Sequence, residues 1–361
     1  GMRLVVRGEG KVAPSAVERL ARRMVHPLCG LDSRVGFLLR GRPEPRFAIA
    51  GGQLSGVHRL LGQQEAGSYH IGGVGLTRHE ALVRTLGESA ERYCQLVSVA
   101  CGSVPVRVAT VEQLGERGHQ VIDPSSMGFF SDWFGPAVGP RIVIGRRLAA
   151  LGRLVESWMG RSATPSFHHL ASPDLPPHSV VCLVRQPGGR RPVAAVGLGS
   201  ETRLVEACYK AMPEAVGVFQ LAKTGMAAAA LDGERAGVRE DETTFFDLDS
   251  NVVHYGDGGG ADVLAAKFPT DRTIADDDLP DDLEGAAADV VAELWRRISE
   301  RGARLYELDL TTPDVADLGL VTIRLWSPDL LALALPSAPP VAHRRFVAHG
   351  GAVSLRPHPY P

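Results

Sequence analysis

The stretch Gly72–Val97, GGVGLTRHEALVRTLGESAERYCQLV, is the one on which the fold turns. Gly72, Gly73 and Gly75 lead into Thr77, and Glu80 follows three residues later. That spacing is the signature of a capping box, so it predicts a helix that begins just after Thr77. Ala81, Leu82, Leu86, Ala90, Tyr93 and Val97 recur at helical intervals and are expected to face a core. Arg84, Glu88, Glu91 and Gln95 step along the other side by four, three and four. Residues so spaced share one face of a helix. The stripe reads in two ways. It is a solvated face with a weak surface ion pair, or Glu88 and Glu91 hold Mg²⁺ against a nucleotide phosphate, as one or two carboxylates commonly do.

The chain has 361 residues, 44% hydrophobic and 22% charged, which is ordinary globular composition for one large domain or two smaller ones. Its formal net charge is −2 with both signs interleaved, so no basic footprint for nucleic acid is present. The opening GMRLVVRGEG has no long apolar run, and no signal peptide is expected there. No apolar stretch reaches the length of a membrane span. Cys29, Cys94, Cys101, Cys182 and Cys208 are scattered without a C-x-x-C pair. An odd, dispersed set suits reduced thiols in a cytoplasm better than a disulfide framework or a zinc site.

Taken in order, the pattern predicts a strand at Arg3–Val6, a helix around Ala16–Met24 and a strand around Val35–Leu39. Gly51–Gly62 reads as a connecting passage, Val104–Ala109 as a strand and Val111–Gly115 as a helical turn. Met127–Pro140 reads as a loop and Arg146–Met159 as a helix carrying Glu156. Ser162–Pro177 reads as a connection, followed by paired strands, Val180–Val184 and Pro192–Val196, around Pro187-Gly188-Gly189. Gly197-Leu-Gly-Ser200 is expected to open a second helix from Glu201 to Phe219, kinked by Pro213. Its stripe of Glu206, Lys210, Glu214 and Val218 is expected to face solvent. The acidic run around Asp276–Asp278 and Asp281-Asp282 reads as a solvated linker. A helix from Leu283 and two strands, Arg304–Leu310 and Leu320–Trp326, complete the pattern. The end, Pro357-His-Pro-Tyr-Pro361, is held extended by alternating prolines.

Several ordered segments resemble the YcaO-domain family, in its azoline-forming subgroup. GVGLTRHEALVRTLGESAERYC is similar to the family's G-K-G-(S/L)-T…A-L-A-S-A-L-G-E-A-I-E-R-Y. Val121-Ile-Asp-Pro124 resembles its A-x-D-P element, and Gly197–Val218 its G-x-G-x…A…A-L-x-E segment. Glu307–Leu320 with Val321–Leu325 is close to v-D-L-T-t-P-D-V-a-x-L-G-l-x-V-v-R-V, and the chain ends in P-x-P-x-P. The resemblance spans nearly the whole chain and implies an α+β fold of mixed β-sheets flanked by helices. Residues 1–60 would form an N-terminal extension packed on a YcaO domain of residues 61–361.

The resemblance implies an ATP- and Mg²⁺-dependent cyclodehydratase that turns Cys, Ser or Thr of a ribosomally made precursor peptide into azolines. It places Arg84, Glu88, Glu91, Arg92, Glu214 and Arg324 at the nucleotide, with Glu88, Glu91 and Glu214 on the metal. The carboxylate of Pro361 would be the catalytic base or orienting group. Implied partners are the precursor peptide, a substrate-recruiting subunit of the ubiquitin-activating (ThiF-like) kind and a flavin dehydrogenase, with the chain a homodimer in the cytoplasm. No nucleic acid or membrane partner is implied. Where the family has the lysine of G-K-G this chain has Val74, and Arg84 stands at the family's serine. The glutamine expected one turn after Glu214 is absent. These departures keep a second reading open, a non-catalytic YcaO protein that binds a peptide or partner as a scaffold in a multi-subunit azole synthetase.

Overall fold

The computed structural model of the chain describes residues 13–41, 44–64, 71–119, 121, 139–159, 163–170, 178–231, 248–330 and 343–348. The expected strand at Arg3–Val6, all but the first residue of Val121–Pro124, nearly all of the expected loop Met127–Pro140, and the C-terminal Pro357–Pro361 lie outside them.

Helix α1 (Pro14–Met24) starts on a proline, whose missing N–H costs nothing in a first turn. An antiparallel sheet follows, β1 (Asp32–Phe37), β2 (Ala48–Leu54) and β3 (Gly72–Gly75), in that spatial order. Much of the expected connection Gly51–Gly62 is thus the end of β2 plus the short helix α2 (Val57–Leu60). The sheet joins strands from both sides of residue 60. Helix α3 (Arg78–Ala100) then lies across β2 and β3. Thr77 caps it, its hydroxyl accepting the Glu80 N–H at 3.1 Å. Ala81, Leu86, Ala90 and Val97 are buried as the periodicity predicts, while Leu82 and Tyr93 are half-buried. Gly73 lets the helix settle: a β-carbon there would sit 2.3 Å from the Ala81 carbonyl oxygen and 2.6 Å from the Thr85 nitrogen.

After α4 (Val111–Glu116) comes a second sheet, β4 (Arg141–Val143), β5 (Thr164–Leu170), β6 (His178–Arg185), β7 (Ala194–Glu201) and β8 (Thr273–Ala275), ordered β7-β6-β5-β4-β8. Helix α5 (Ala149–Trp158) links β4 to β5. Strand β5 takes the place of an expected connection, because its pairing with β6 runs from Thr164 to Leu170. The expected strand at Val104–Ala109 does not form; Val106 and Val108 are exposed and have no sheet to face. Along β6, Val180, Cys182 and Val184 point into one apolar cluster, and Val181 and Leu183 into another. This period of two places helix packing on both faces of the sheet.

Helix α6 (Leu204–Leu231) covers the first of those faces. Gly197 and Gly199 lie in β7, not in the helix they were expected to open. Their role is close approach. A β-carbon on Gly199 would meet the Ala207 carbonyl oxygen at 2.1 Å and the Ala211 nitrogen at 2.6 Å, and one on Gly197 the Ala215 nitrogen at 2.2 Å. Ala207, Ala211 and Ala215, one per turn, form the matching stripe on the helix. The helix runs on through Pro213 without a break in assignment. Val218, expected at the surface, is 4% exposed and belongs to the core.

These two units repeat one design, three antiparallel strands followed by a long helix laid on the edge strand. Gly73 meets α3 eight and twelve residues on, and Gly199 meets α6 at the same two spacings.

On the second face of the β6–β7 pair, Tyr255 of α7 (Leu248–Asp257) and Leu264 of α8 (Ala261–Lys267) bury beside Val181 and Leu183. The acidic run is no solvated linker. Asp276 is buried and its Oδ2 accepts the Gly145 and Leu148 N–H groups at 2.9 and 2.8 Å, capping the start of α5. Asp282 takes Arg147 at 2.8 Å, His178 at 3.0 Å and the Leu204 N–H at 2.9 Å. Beyond them lie α9 (Ala287–Glu300), the antiparallel pair β9 (Tyr306–Asp309) and β10 (Ile323–Trp326) enclosing α10 (Pro313–Asp317), and α11 (Arg344–Ala348). The mixed sheets with flanking helices are the α+β arrangement expected. All five cysteines are free thiols. Among the described residues no helix is long and apolar enough to cross a membrane.

Candidate functional site: two facing carboxylates

Strands β3 and β7 are both sheet edges, so each leaves outward N–H groups without a ladder partner. In each case a glutamate on the following helix comes to one. The Gly72 N–H donates to Glu88 Oε2 at 2.9 Å, sixteen residues on. The Leu198 N–H, at the same spacing, lies near enough to Glu214 to lower its proton affinity. Glu88 is thereby fixed by main chain and keeps lone pairs for another ligand.

The two glutamates sense one another across the space between α3 and α6. Desolvation pushes Glu214 up to about 7, against the Leu198 N–H and the nearby Arg84, and repulsion from Glu88 adds to the rise. Glu214 nevertheless has open surface. A carboxylate that is both accessible and crowded by protein lines a recess rather than a ridge. Desolvation also raises Glu88, the Gly72 N–H and Arg92 offset part of the rise, and repulsion from Glu91 adds to it. Glu88 Oε1 is 3.5 Å from Arg92 Nη2.

Beside this pair stands Glu80, which the sequence assigns only to a cap. Its Oε2 accepts the Leu76 N–H at 2.9 Å, one residue earlier than a standard capping box. Its Oε1 accepts the Tyr209 hydroxyl at 2.7 Å and Arg84 Nη2 at 2.9 Å. Gly75 makes room for this carboxylate: a β-carbon there would lie 2.7 Å from Glu80 Cγ. The Arg84 guanidinium carbon is 6.0 Å from the Tyr209 ring centroid, within reach of the ring's negative face.

The structure therefore brings Arg84, Glu88, Arg92 and Glu214 together, with Glu91 exposed at the rim. Arg324 is exposed on β10, opposite Leu308 in the ladder, and among the described residues its side chain makes no hydrogen bond or ion pair. Pro361 lies outside the described residues. Val74 packs toward α6, its Cγ2 3.1 Å from where a Gly217 β-carbon would be. Sequence reading missed Glu80, Tyr209 and the two N–H groups. The signal for the last was an internal repeat, Gly73…Ala81…Glu88 against Gly199…Ala207…Glu214 at equal spacings.

Among the described residues no group of three His, Cys, Asp or Glu side chains is placed to hold a metal ion. Two converging carboxylates form an all-oxygen set. That suits Mg²⁺ when phosphate oxygens and water complete its shell.

Neither a protein-family model nor a curated protein sequence matches the chain. Solved structures do. One described as a heterocyclase in complex with substrate and cofactor superposes with a TM-score of 0.62 at 14% identity, over 88% of this chain and 52% of that one. This chain thus spans about half the length of that protein. The YcaO protein of Methanopyrus kandleri, bound with AMPPCP and Mg²⁺, superposes with a TM-score of 0.50 at 15% identity, over 88% of this chain and 91% of that one. The chain has the fold of the YcaO proteins.

Proposed function

We propose that the chain is an ATP-dependent YcaO cyclodehydratase that forms azolines in a ribosomally made precursor peptide. The observation that supports the reading is the pair Glu88 and Glu214, at equivalent places on α3 and α6, with Glu88 bonded to the Gly72 N–H and close enough to raise the proton affinity of Glu214. The reaction adds a Cys, Ser or Thr side chain to the preceding amide carbonyl. The amide oxygen takes the γ-phosphoryl group of ATP, ADP departs, and loss of phosphate with the amide proton leaves the C=N bond of the ring. Mg²⁺ would offset charge on the phosphoryl group as it moves. Glu88 and Glu214 would hold the ion, with phosphate oxygens and water completing its shell and Glu91 standing outside it at the rim; Arg84 and Arg92 would face the phosphates, with Arg324 a further phosphate contact. A guanidinium suits that task because its fork matches phosphate oxygens. We assign the Pro361 carboxylate to the peptide end, as base or orienting group.

On this reading the precursor arrives with a substrate-recruiting ThiF-like subunit, a flavin dehydrogenase acts on the azoline, and the enzyme works as a cytoplasmic homodimer. The test is ADP release together with loss of one water mass from the peptide when the recruiting subunit is present. Glu88→Gln should abolish both, and removal of Pro357–Pro361 should nearly do so; full activity in either variant sinks the assignment.

A second reading, a scaffold without turnover, is favoured by Val74 packing where the family has lysine and by the ion pairs Arg84–Glu80 and Arg92–Glu88. It requires that no Mg-ATP affinity be measurable by calorimetry while association with a synthetase subunit persists.

A further inference from the structure

Arg84 bonds Glu80 on its own helix and lies close enough to Glu214 on α6 to lower its proton affinity. A free arginine side chain samples many rotamers, and holding one of them costs conformational entropy. Here the holding groups are on the page. Glu80 Oε1 grips Nη2 at 2.9 Å, and the same oxygen accepts the Tyr209 hydroxyl at 2.7 Å. Glu80 is itself tied to the Leu76 N–H at the start of the helix, and Gly75 leaves the space it occupies. Tyr209 is buried, 3% exposed, and belongs to the core cluster that anchors α6. The chain Leu76–Glu80–Tyr209 therefore locks α3 to α6 at the level of Arg84.

We propose that Tyr209 is a positioning residue which, through Glu80 and its ring face, aims Arg84 at the phosphates of a bound nucleotide. The inference rests on the nucleotide reading above. Tyr209 touches neither nucleotide nor peptide. Its hydroxyl fixes the Glu80 oxygen that orients Arg84, and its ring limits where the guanidinium can turn.

The test is calorimetric titration of the full chain with AMPPCP, with and without Mg²⁺, for wild type, Arg84→Ala, Tyr209→Phe and the double variant. Thermal unfolding of each variant reports its fold. Loss of one charge-assisted contact weakens binding about tenfold, so Arg84→Ala should do so in both metal conditions. Tyr209→Phe should weaken binding by about threefold, a lost neutral hydrogen bond acting at one remove. The double variant should bind no more weakly than Arg84→Ala alone, because Tyr209 acts only through Arg84. Additive losses, or a Tyr209→Phe effect that survives in the Arg84→Ala background, overturn the positioning role and leave the nucleotide reading standing. Absence of AMPPCP binding to wild type in both conditions overturns the nucleotide reading and this inference with it.

Discussion

Glu214 holds on α6 the place that Glu88 holds on α3: each lies sixteen residues after an edge-strand N–H that lowers its proton affinity, and Glu88 raises the proton affinity of Glu214. The fold therefore sets two desolvated carboxylates near one another, which is the electrostatic arrangement a divalent cation relieves.

The first consequence is a pH dependence of stability. Burial raises Glu214 from the ordinary glutamate value of 4.5 to about 7, and Glu88 is raised as well. A group whose folded pKa lies above its unfolded one contributes stability below the unfolded value and loses it as pH rises. Stability attributable to Glu214 should thus fall between about pH 4.5 and pH 7. Glu214→Gln, which keeps the acceptor for the Leu198 N–H, should melt higher than wild type at pH 8. The two should converge at pH 4.5. A lower melting temperature for the variant at pH 8 would contradict the crowded-recess geometry.

A second expectation concerns the cation itself. A ligand that binds only the folded state at a hundred times its Kd stabilises by about 2.7 kcal/mol. Mg²⁺ with AMPPCP at that excess should raise the melting temperature of wild type by several degrees. Both Glu88→Gln and Glu214→Gln should remove most of the shift, because each takes one charge from the pair. An undiminished shift in either variant places the ion elsewhere.

The close approach of helix to strand can be tested by adding one methyl group. Gly199→Ala forces a β-carbon to 2.1 Å from the Ala207 carbonyl oxygen, and Gly73→Ala one to 2.3 Å from that of Ala81. Overpacking against backbone costs about 1–3 kcal/mol or more, since no side chain can turn away. Gly36→Ala adds the same methyl where nothing lies within 4 Å. Urea unfolding should show large losses for the first two and little change for the third.

Much of this was legible in the sequence where local signals and burial agree. Thr77 marks the start of α3 because a cap is a local event, and Ala81, Leu86, Ala90 and Val97 mark its buried side because period and core coincide. The failures are non-local. Gly197 and Gly199 look like the approach to a helix, yet they belong to a strand, since only the arrival of α6 against β7 reveals why a side chain is excluded there. Residues 164–170 carry proline, serine and histidine and become a strand because β6 offers them a full ladder. The resemblance picks out Glu88 and Glu214 as candidates, whereas Glu80 and Tyr209 meet only after the two helices pack. Acidic residues misled most at Asp276, where composition suggests solvent and the fold supplies two N–H donors, that of Leu148 buried.

That buried aspartate yields the last prediction. Asp276 is 1% exposed, and its Oδ2 is the acceptor for both Gly145 and Leu148 at the start of α5. Replacing it with alanine leaves the buried Leu148 N–H without its partner, at about 1–3 kcal/mol for a buried group left unsatisfied, whereas the exposed Gly145 can turn to water. It also removes an anion from a helix N-terminus, where negative charge is favoured. Asp278, two residues on, is exposed, and its replacement should stay within about 0.5 kcal/mol. Asp276→Ala should therefore lower the urea midpoint markedly and speed hydrogen exchange at Leu148, while Asp278→Ala changes neither. Because α5 packs on α6, the helix that carries Glu214, the same variant should weaken AMPPCP binding although Asp276 lies outside the recess. Unchanged exchange at Leu148 would mean that the cap is not what holds α5 in place.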